Sequence, residues 1–361
     1  MHIIEENGNE TVQQRLARLV VEDITGQPFD KSNAVVGPLV TNYFSFIFSI
    51  EEHTSLNTQK VFVKIPKEDL RQRSKSILPI SPADRKMAED EVLSLRMLCD
   101  QWHSGDIGVS WVQLRGYFPQ YNAIVTDAVA GSDAFSVFRR LDMRRRFGSQ
   151  RDGIRLREAM TRIGAALGRF HQGNARNTVF HVNEVIPKLE RYCHELGASV
   201  RSSRPSHVIQ ALKSIGDMEI EAIEVPTLKG IDIRNVLMDE QDKLFLFDPG
   251  RIKRICREAD LARFIMTYRI LYWGSGLFLV GLRPDYKAED AFLEAYYSYG
   301  VPPSPKLLSL FLIKEQFKHW LTAIDSLKRL PCNMLFKQLV AATYINPFYK
   351  RQMAIELRKV I

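Results

Sequence analysis

The chain has 361 residues, 45% apolar and 25% charged, a globular balance that excludes extended disorder and favours one large domain or two lobes over several separate domains. Fifty Lys and Arg stand against 42 Asp and Glu, and the net charge of +8 favours anionic partners such as nucleotides, phosphorylated molecules or acidic membrane surfaces without choosing among them. The four cysteines, Cys99, Cys193, Cys256 and Cys332, lie far apart with no CxxC pair, which argues against a zinc site or a disulfide framework and fits a reducing compartment.

The N-terminal "MHIIEENGNE" lacks the basic start and apolar centre of a secretion signal. Residues 12–24, "VQQRLARLVVEDI", read as a leading helix, followed by the turn-rich "TGQPFDKSN". The pattern then changes to period two. In "YFSFIFSI", Phe44, Phe46, Phe48 and Ile50 alternate with Ser45, Ile47 and Ser49, as a half-buried strand requires. The polar "EEHTSLNTQK" turns the chain into a second strand, "VFVKI", so this is a β-meander. The basic "PKEDLRQRSKSILPISPAD" reads as a loop. A helix follows, with Ala88, Val92, Leu95, Cys99 and Trp102 along one face. Strands return at "VSWVQLRGYF" and "YNAIVTDAV", and the latter breaks at Ala130-Gly131-Ser132, a link between lobes.

Beyond this link the chain reads as mainly helical. Leu156, Met160, Ile163, Leu167 and Phe170 form an apolar stripe on a helix ending near His171, and His171 itself reads as structural. Further helices are expected at "VIPKLERYCHEL", "ADLARFIMTYRIL", "AEDAFLEAYYSYG", "PKLLSLFLIKEQFKHWLTAIDSL" and the C-terminus. The exception is "NVLMDEQDKLFLF", two apolar tetrapeptides around a polar turn, which reads as a β-hairpin. The uncharged run "ILYWGSGLFLVGL" at 270–282 is too short to span a bilayer and contains three glycines; it reads as buried core or as an interfacial surface touching lipid. No internal repeat or low-complexity tract is present, and the basic residues lack the aromatic interleaving of a single-strand nucleic-acid platform.

Pairing Val236–Asp239 with Leu244–Phe247 around a four-residue turn sets Val236 opposite Phe247 and leaves Asn235 and Asp248 side by side at the open end. A carbonyl oxygen beside a carboxylate suits Mg²⁺, which takes a few hard oxygen ligands together with phosphates; the alternative is two polar residues flanking a surface hairpin. Lys64 closes the strand "VFVK", where it can bond nucleotide phosphates if a helix carboxylate holds it, and Glu91 is the best placed. The alternative is a solvated lysine and a solvated glutamate. The order of strand Lys, helix Glu, hinge-like strand, then Asn and Asp on a hairpin is what joins these residues into one site.

With these pieces in order, the chain resembles the aminoglycoside phosphotransferase and choline kinase-like family, relatives of the protein kinase fold, over about residues 35–300. "VFVK" is similar to the family's nucleotide-lysine strand and "YNAIVTDAVAGSDAF" to its hinge. "IGAALGRFH" resembles the helix before the catalytic loop, "NVLMDEQDKLFLFDPG" the metal-binding hairpin, and "EADLARFI" the following Asp-containing helix start, whose Asp260 the resemblance implies as an anchor of the catalytic loop. Two departures stand out. The phosphate loop "VVGPLVTNYFS" offers only Gly37, and Gly230, five residues before Asn235, stands where the family carries its catalytic Asp.

The resemblance implies an α+β, protein kinase-like two-lobed fold: a lead-in over 1–34, an antiparallel N-lobe over 35–130 that binds nucleotide, and a helical C-lobe over 131–361 with the metal hairpin and acceptor pocket. The expected function is ATP- and Mg²⁺-dependent transfer to a hydroxyl of a small molecule or glycan, the acceptor being anionic or lipid-linked among other choices. Lys64 holds phosphates, Glu91 orients Lys64, Asn235 and Asp248 bind metal, and Asp232, three residues before Asn235, orients the acceptor in place of the missing base. Alternatively Asp232 caps the loop or pairs with Arg234, and the protein is a pseudokinase that binds nucleotide or a partner without turnover. The expected location is cytoplasmic. Tyr268, Tyr272, Trp273, Tyr296, Tyr297 and Trp320 suit either sugar stacking or a helical core, and the basic "FRRLDMRRRFGSQR" at 138–151 suits a solvated face or an anionic partner.

Overall fold

The structure, a computed structural model, describes residues 11–26, 28–29, 33–42, 44–53, 58–68, 76–102, 107–199, 205–228, 230–273, 285–300 and 302–361. In chain order these form α1 (Val12–Thr25), β1 (Ala34–Val36), β2 (Val40–Thr41), β3 (Ser45–His53), β4 (Thr58–Pro66), α2 (Pro82–Gln101), β5 (Val109–Trp111), β6 (Leu114–Phe118), β7 (Ala123–Asp127) and β8 (Ser132–Asp133). There follow α3 (Ala134–Arg146), α4 (Gln150–Gly173), β9 (Arg176–His181), α5 (Ile186–Ser199), α6 (Ser206–Ser214), β10 (Glu219–Leu228), β11 (Val236–Met238), β12 (Leu244–Leu246) and β13 (Ile252–Cys256). The chain closes with α7 (Glu258–Trp273), α8 (Tyr286–Tyr297), α9 (Pro305–Arg329), α10 (Met334–Val340) and α11 (Asn346–Val360). They fall into two compact units that are discontinuous in sequence: the chain up to Asp133 with Asn235–Ile252, and Ala134–Arg234 with Lys253–Ile361.

In the first unit an antiparallel sheet runs in the order β1-β3-β4-β7-β6, with β2 on β3. The alternation read in "FSFIFSI" holds from Phe46 onward: Phe46, Phe48 and Ile50 are buried and Ile47 and Ser49 half-buried, but Ser45, expected on the polar side, is buried as well. Phe44 does not share the pattern; it precedes β3 and is exposed, with its carbonyl accepting from Lys67 N at 2.8 Å. Val61, Val63 and Ile65 of β4 join Phe46, Phe48 and Ile50 in a core that Leu16, Ala17, Val20 and Val21 of α1 also enter. Each large apolar side chain removed from water in this way contributes about 1.5–3 kcal/mol. A capping box between Thr11 and Gln14 starts α1, and Gly26 in the left-handed region (φ 66) ends it. Gly37 N–H donates to Ser49 O at 2.8 Å, and a Cβ there would meet Ser49 Oγ at 2.5 Å unless that hydroxyl rotated away. "VSWVQLRGYF" is not one strand. It divides into β5 and β6, which belong to different sheets.

β5, β12, β11 and β8 make a separate four-stranded sheet, parallel between β5 and β12. The hairpin β11–β12, expected with the helical part, is thereby bound on both edges to strands of the first unit. Its register differs by one residue from the expectation: Val236 pairs with Leu246, Leu237 with Phe245 and Met238 with Leu244. The turn is the cause. Asp239 N donates to Lys243 O at 3.0 Å, which leaves a three-residue loop, and Asp242 takes the left-handed conformation (φ 64) that such a loop needs at its end.

The second unit is mainly helical. α4 lies along α8, and α9 packs on α5, α7 and α11. Its three-stranded sheet, β13-β10-β9, was not expected. Six residues of β9 pair with β10 across the intervening α5 and α6, from Glu219 opposite His181 to Glu224 opposite Arg176. β9 is largely exposed and polar, so it lacks the apolar alternation that marks a half-buried strand. The basic 138–151 segment forms the end of α3 and the start of α4, where buried Asp142 accepts from Arg145 Nη2 at 2.7 Å and Arg146 Nε at 2.6 Å. Tyr268, Tyr296 and Trp320 are core residues. The side chains of Tyr272 and Trp273, and residues 274–282 of the long uncharged run, lie outside the described residues. No helix among the described residues is long and apolar enough to cross a membrane.

Candidate active site

Lys64 sits on β4 between Ile47 of β3 and Ile124 of β7, an interior position of the sheet that fixes its backbone on both sides. It alternates with Val63 and Ile65, so its side chain leaves the core cluster for the opposite face. There the Nζ donates to both carboxylate oxygens of Glu91 at 2.8 Å and to Oδ1 of Asp248 at 2.8 Å. These three bonds use all three donors of the ammonium. Glu91 comes from α2, which a capping box between Ser81 and Asp84 starts and whose buried face includes Ala88, Glu91, Val92, Leu95 and Leu98. The carboxylate therefore lies on the apolar side of its helix, where only a paired charge is tolerated.

The electrostatics follow from burial and pairing. Burial alone pulls the Lys64 ammonium down, but the Glu91 and Asp248 carboxylates outweigh it and hold Lys64 above the ordinary lysine range. Burial pushes the Glu91 carboxyl up, and Lys64 only partly offsets this. The side chain of Glu91 is 7% exposed against 44% for Asp248, so one carboxylate is a fixed internal anchor and the other faces solvent.

Asp248 follows the hairpin. Phe247 N donates to Asn235 O at 3.1 Å, which extends the observed register by one pair and puts Asn235 opposite Phe247, with Asp248 one residue further on. Asp248 has φ 53 and Gly250 φ 61, a left-handed conformation that a non-glycine residue adopts at a cost and that concentrates where a side chain must be aimed. The chain after Asp248 is held to α2 by Ser94 Oγ, which accepts from Ile252 N at 3.3 Å, and by Asp90, whose carboxylate lies 3.6 Å from Arg251 Nε. Sequence reasoning missed Ser94 and Asp90; their place beside Glu91 on α2 was the available signal. A cavity of about 580 Å³ bordered by Lys60, Arg115, Asp127, Ala130 and Phe245 lies elsewhere in this unit and includes none of Lys64, Glu91 or Asp248.

The segment before Asn235 belongs to the second unit. Leu228 N donates to Asp260 Oδ2 at 2.7 Å, Ile231 N to Leu228 O at 2.9 Å and Ile233 N to Thr267 Oγ1 at 3.3 Å. Asp260 thus anchors this loop from the start of α7, as the resemblance implies. His171 is structural: its Nδ1 lies 2.9 Å from Tyr296 Oη and its Nε2 3.3 Å from Asp260 Oδ2, all buried. Gly230 is buried in the turn. Asp232 accepts from Arg234 N at 2.9 Å and Arg234 Nε at 2.8 Å through Oδ1, and from Arg234 Nη2 through Oδ2. Burial alone would raise the Asp232 carboxyl, but the Arg234 bonds prevail and keep it below the usual carboxylate range. The structure therefore brings Lys64, Glu91 and Asp248 into one contact and engages Asp232 with Arg234.

No protein-family model matches the chain, and no curated protein matches it. Solved structures do. A choline kinase from Streptococcus pneumoniae aligns over 95% of this chain and 99% of its own with a TM-score of 0.50 and 15% identity. A choline kinase from Cryptosporidium parvum aligns over 96% of this chain and 94% of its own, with a TM-score of 0.55 and 10% identity. The chain has a protein kinase-like fold. A macrolide 2'-phosphotransferase from Brachybacterium faecium shares this kinase-like fold over 96% of this chain and 97% of its own, at a TM-score of 0.51 and 12% identity. At these identities the likeness is one of fold.

Proposed function

We propose that this chain is an ATP- and Mg²⁺-dependent phosphotransferase acting on a hydroxyl of a small molecule or glycan. The observation that carries the reading is the Lys64 ammonium held at 2.8 Å by both oxygens of buried Glu91 while its third donor meets solvent-facing Asp248. A purely structural ion pair needs no third, exposed carboxylate, whereas a kinase-type site uses a Lys–Glu pair for phosphates and a nearby Asp for metal. The named activities of proteins sharing the fold, choline kinase and macrolide 2'-phosphotransferase among them, agree at the level of the reaction class.

In this reading Glu91 keeps the Lys64 side chain extended and charged, so Lys64 presents its third donor to phosphate oxygens instead of Asp248. Asp248 and Asn235 supply hard oxygens for Mg²⁺. Mg²⁺ takes few protein ligands and completes its shell with phosphates and water. Bound there, Mg²⁺ would neutralise charge developing on the transferred phosphoryl group. Asp232, kept ionised by Arg234, orients the acceptor hydroxyl: a carboxylate has about four lone-pair sites, and the Arg234 bonds leave one for the incoming O–H.

A second reading, a pseudokinase that binds nucleotide without turnover, is favoured by Gly230 in place of the expected base and by the pairing of Asp232 with Arg234. Calorimetry of ATP binding with and without Mg²⁺, on the native chain and on Asp248→Ala, tests the shared part. Metal-dependent binding that the variant loses supports the site; no binding by the native chain overturns both readings. Phosphoryl transfer lost in Asp232→Asn with ATP binding intact then selects the enzyme.

A further inference from the structure

The second unit carries a charged cluster that none of the roles proposed above uses. Helix α9 contributes Lys314, Glu315, Lys318 and His319, α7 contributes Arg263 and α5 contributes Lys188, and α9 packs against both of the other helices. Glu315 is the cluster's buried centre. Its Oε2 accepts from Lys318 Nζ at 3.2 Å and its Oε1 lies 3.7 Å from Arg263 Nη2, with only 3% of the side chain exposed. Lys314 Nζ instead stands 4.9 Å from the centre of the Phe311 ring, and Lys188 Nζ 5.9 Å from that of Tyr192. Neither of these two ammonium groups has an ion-pair partner among the described residues.

Two cations, Lys318 and Arg263, thus lie against the Glu315 carboxylate, and two more, Lys314 and Lys188, feel its charge. Such an excess is costly inside a fold: burial, with Lys188, Arg263 and Lys318 as positive neighbours and Glu315 opposing them, brings the Lys314 ammonium down to about 8. Two further polar groups lie unsatisfied next to it on the same helix. His319 Nε2 and both side-chain polar atoms of Gln316 are buried without hydrogen-bond partners. The cluster also reaches the loop of the proposed active site, since the Asp232 carboxylate acts electrostatically on both Lys318 and His319. An oxyanion settling here would neutralise the surplus charge next to the residue that orients the acceptor.

We infer that Lys314, Lys318, Arg263 and Lys188 form the acceptor subsite and that the acceptor is a hydroxyl compound bearing a phosphate or carboxylate group. This rests on the phosphotransferase reading for the word acceptor, while the anion site stands on its own geometry.

The test uses the full chain and inorganic phosphate, titrated by calorimetry at low ionic strength into the native protein, the Lys314→Gln/Lys318→Gln double variant, Lys188→Gln and Lys64→Gln. The expected result is phosphate affinity kept in Lys64→Gln, reduced severalfold in Lys188→Gln, and reduced about tenfold or more in the double variant, which corresponds to about 1.4 kcal/mol. Lys188 is exposed, so that variant remains informative if the double variant does not fold. Unchanged affinity in Lys188→Gln and the double variant, or loss confined to Lys64→Gln, overturns the subsite. Failure of the phosphotransferase reading shows separately, as absence of Mg²⁺-dependent ATP binding. If ATP binds, transfer from radiolabelled ATP to a sugar phosphate should exceed transfer to the neutral sugar, and the double variant should lose that preference. Preference for a neutral or cationic acceptor such as choline overturns the assignment.

Discussion

At the scale of single residues, Lys64, Glu91 and Asp248 are bonded alike but are not equivalent. Removing the ammonium in Lys64→Ala strands the Glu91 carboxylate in a nearly closed environment, its side chain 7% exposed. Breaking a buried pair from one side costs about 3–5 kcal/mol, so this variant should lose both ATP binding and stability, read as a lower urea midpoint. Asp248→Ala should lose Mg²⁺-dependent ATP binding with a much smaller change in midpoint, because Asp248 is 44% exposed and solvent replaces its bond. Equal destabilisation by the two would mean that Asp248 is part of the folding core. Asp232→Asn keeps the oxygen that meets Arg234 N but weakens the charge-assisted pairing. Turnover is expected to fall about 10²–10⁴-fold with ATP affinity unchanged, measured by steady-state transfer and calorimetry in parallel.

At the scale of elements, helix α4 shows how closely the fold is packed where the sequence places its glycines. A Cβ on Gly164 would stand 2.1 Å from Phe292 O of α8, and one on Gly168 would stand 2.9 Å from Tyr296 O. Both clashes are with backbone, which cannot rotate away. Gly164→Ala should cost about 1–3 kcal/mol or more and lower the thermal midpoint, whereas Gly173→Ala, with open space around the position, should not do so by steric clash. Helix α9 makes a prediction in pH. Although burial opposes it, Lys318, Arg263 and Lys314 hold Glu315 down at about 2 against an ordinary 4.5. Its folded pKa is depressed, so its stabilisation is complete above about 4.5 and disappears as the pH falls toward 2. Burial and Lys318 bring His319 down to about 4 from 6.5, so protonating it in the unfolded chain costs further stability between 6.5 and 4. Each shift corresponds to roughly 3 kcal/mol. Chemical denaturation from pH 7 to pH 3 should show the loss, and Glu315→Gln with His319→Gln should flatten it.

At the scale of the whole molecule, the two discontinuous units mean that the chain passes from one to the other at Asp133–Ala134, Arg234–Asn235 and Ile252–Lys253. The last two passages bracket the hairpin, so Asp232, proposed to orient the acceptor, and Asn235, one of the proposed metal residues, belong to different compact units though they are three positions apart in sequence. Ligand that binds only the folded chain stabilises it by mass action, about 2.7 kcal/mol at a hundredfold excess over Kd. ATP with Mg²⁺ should therefore raise the thermal midpoint of the native protein and leave that of Asp248→Ala unmoved.

Much of this was legible in the sequence because local chemistry decides it. The alternation of Phe46, Phe48 and Ile50 marks β3, the four-three stripe of Leu156 to Phe170 marks α4, and the order of Lys64, Glu91, Asn235 and Asp248 is that of a kinase-like chain. What sequence periodicity could not reach depended on long-range pairing. β9 is polar and pairs with β10 only across two intervening helices, the hairpin register turned on the left-handed Asp242, and Asp232 found Arg234 only through the shape of one loop. The residue types capable of the chemistry are a property of the sequence, since side-chain donors, acceptors and charges come with the letters. Which of them meet is a property of the tertiary structure: Glu91 lies 27 residues from Lys64 and Asp248 lies 184, and only a packed sheet and helix bring three such charges to 2.8 Å.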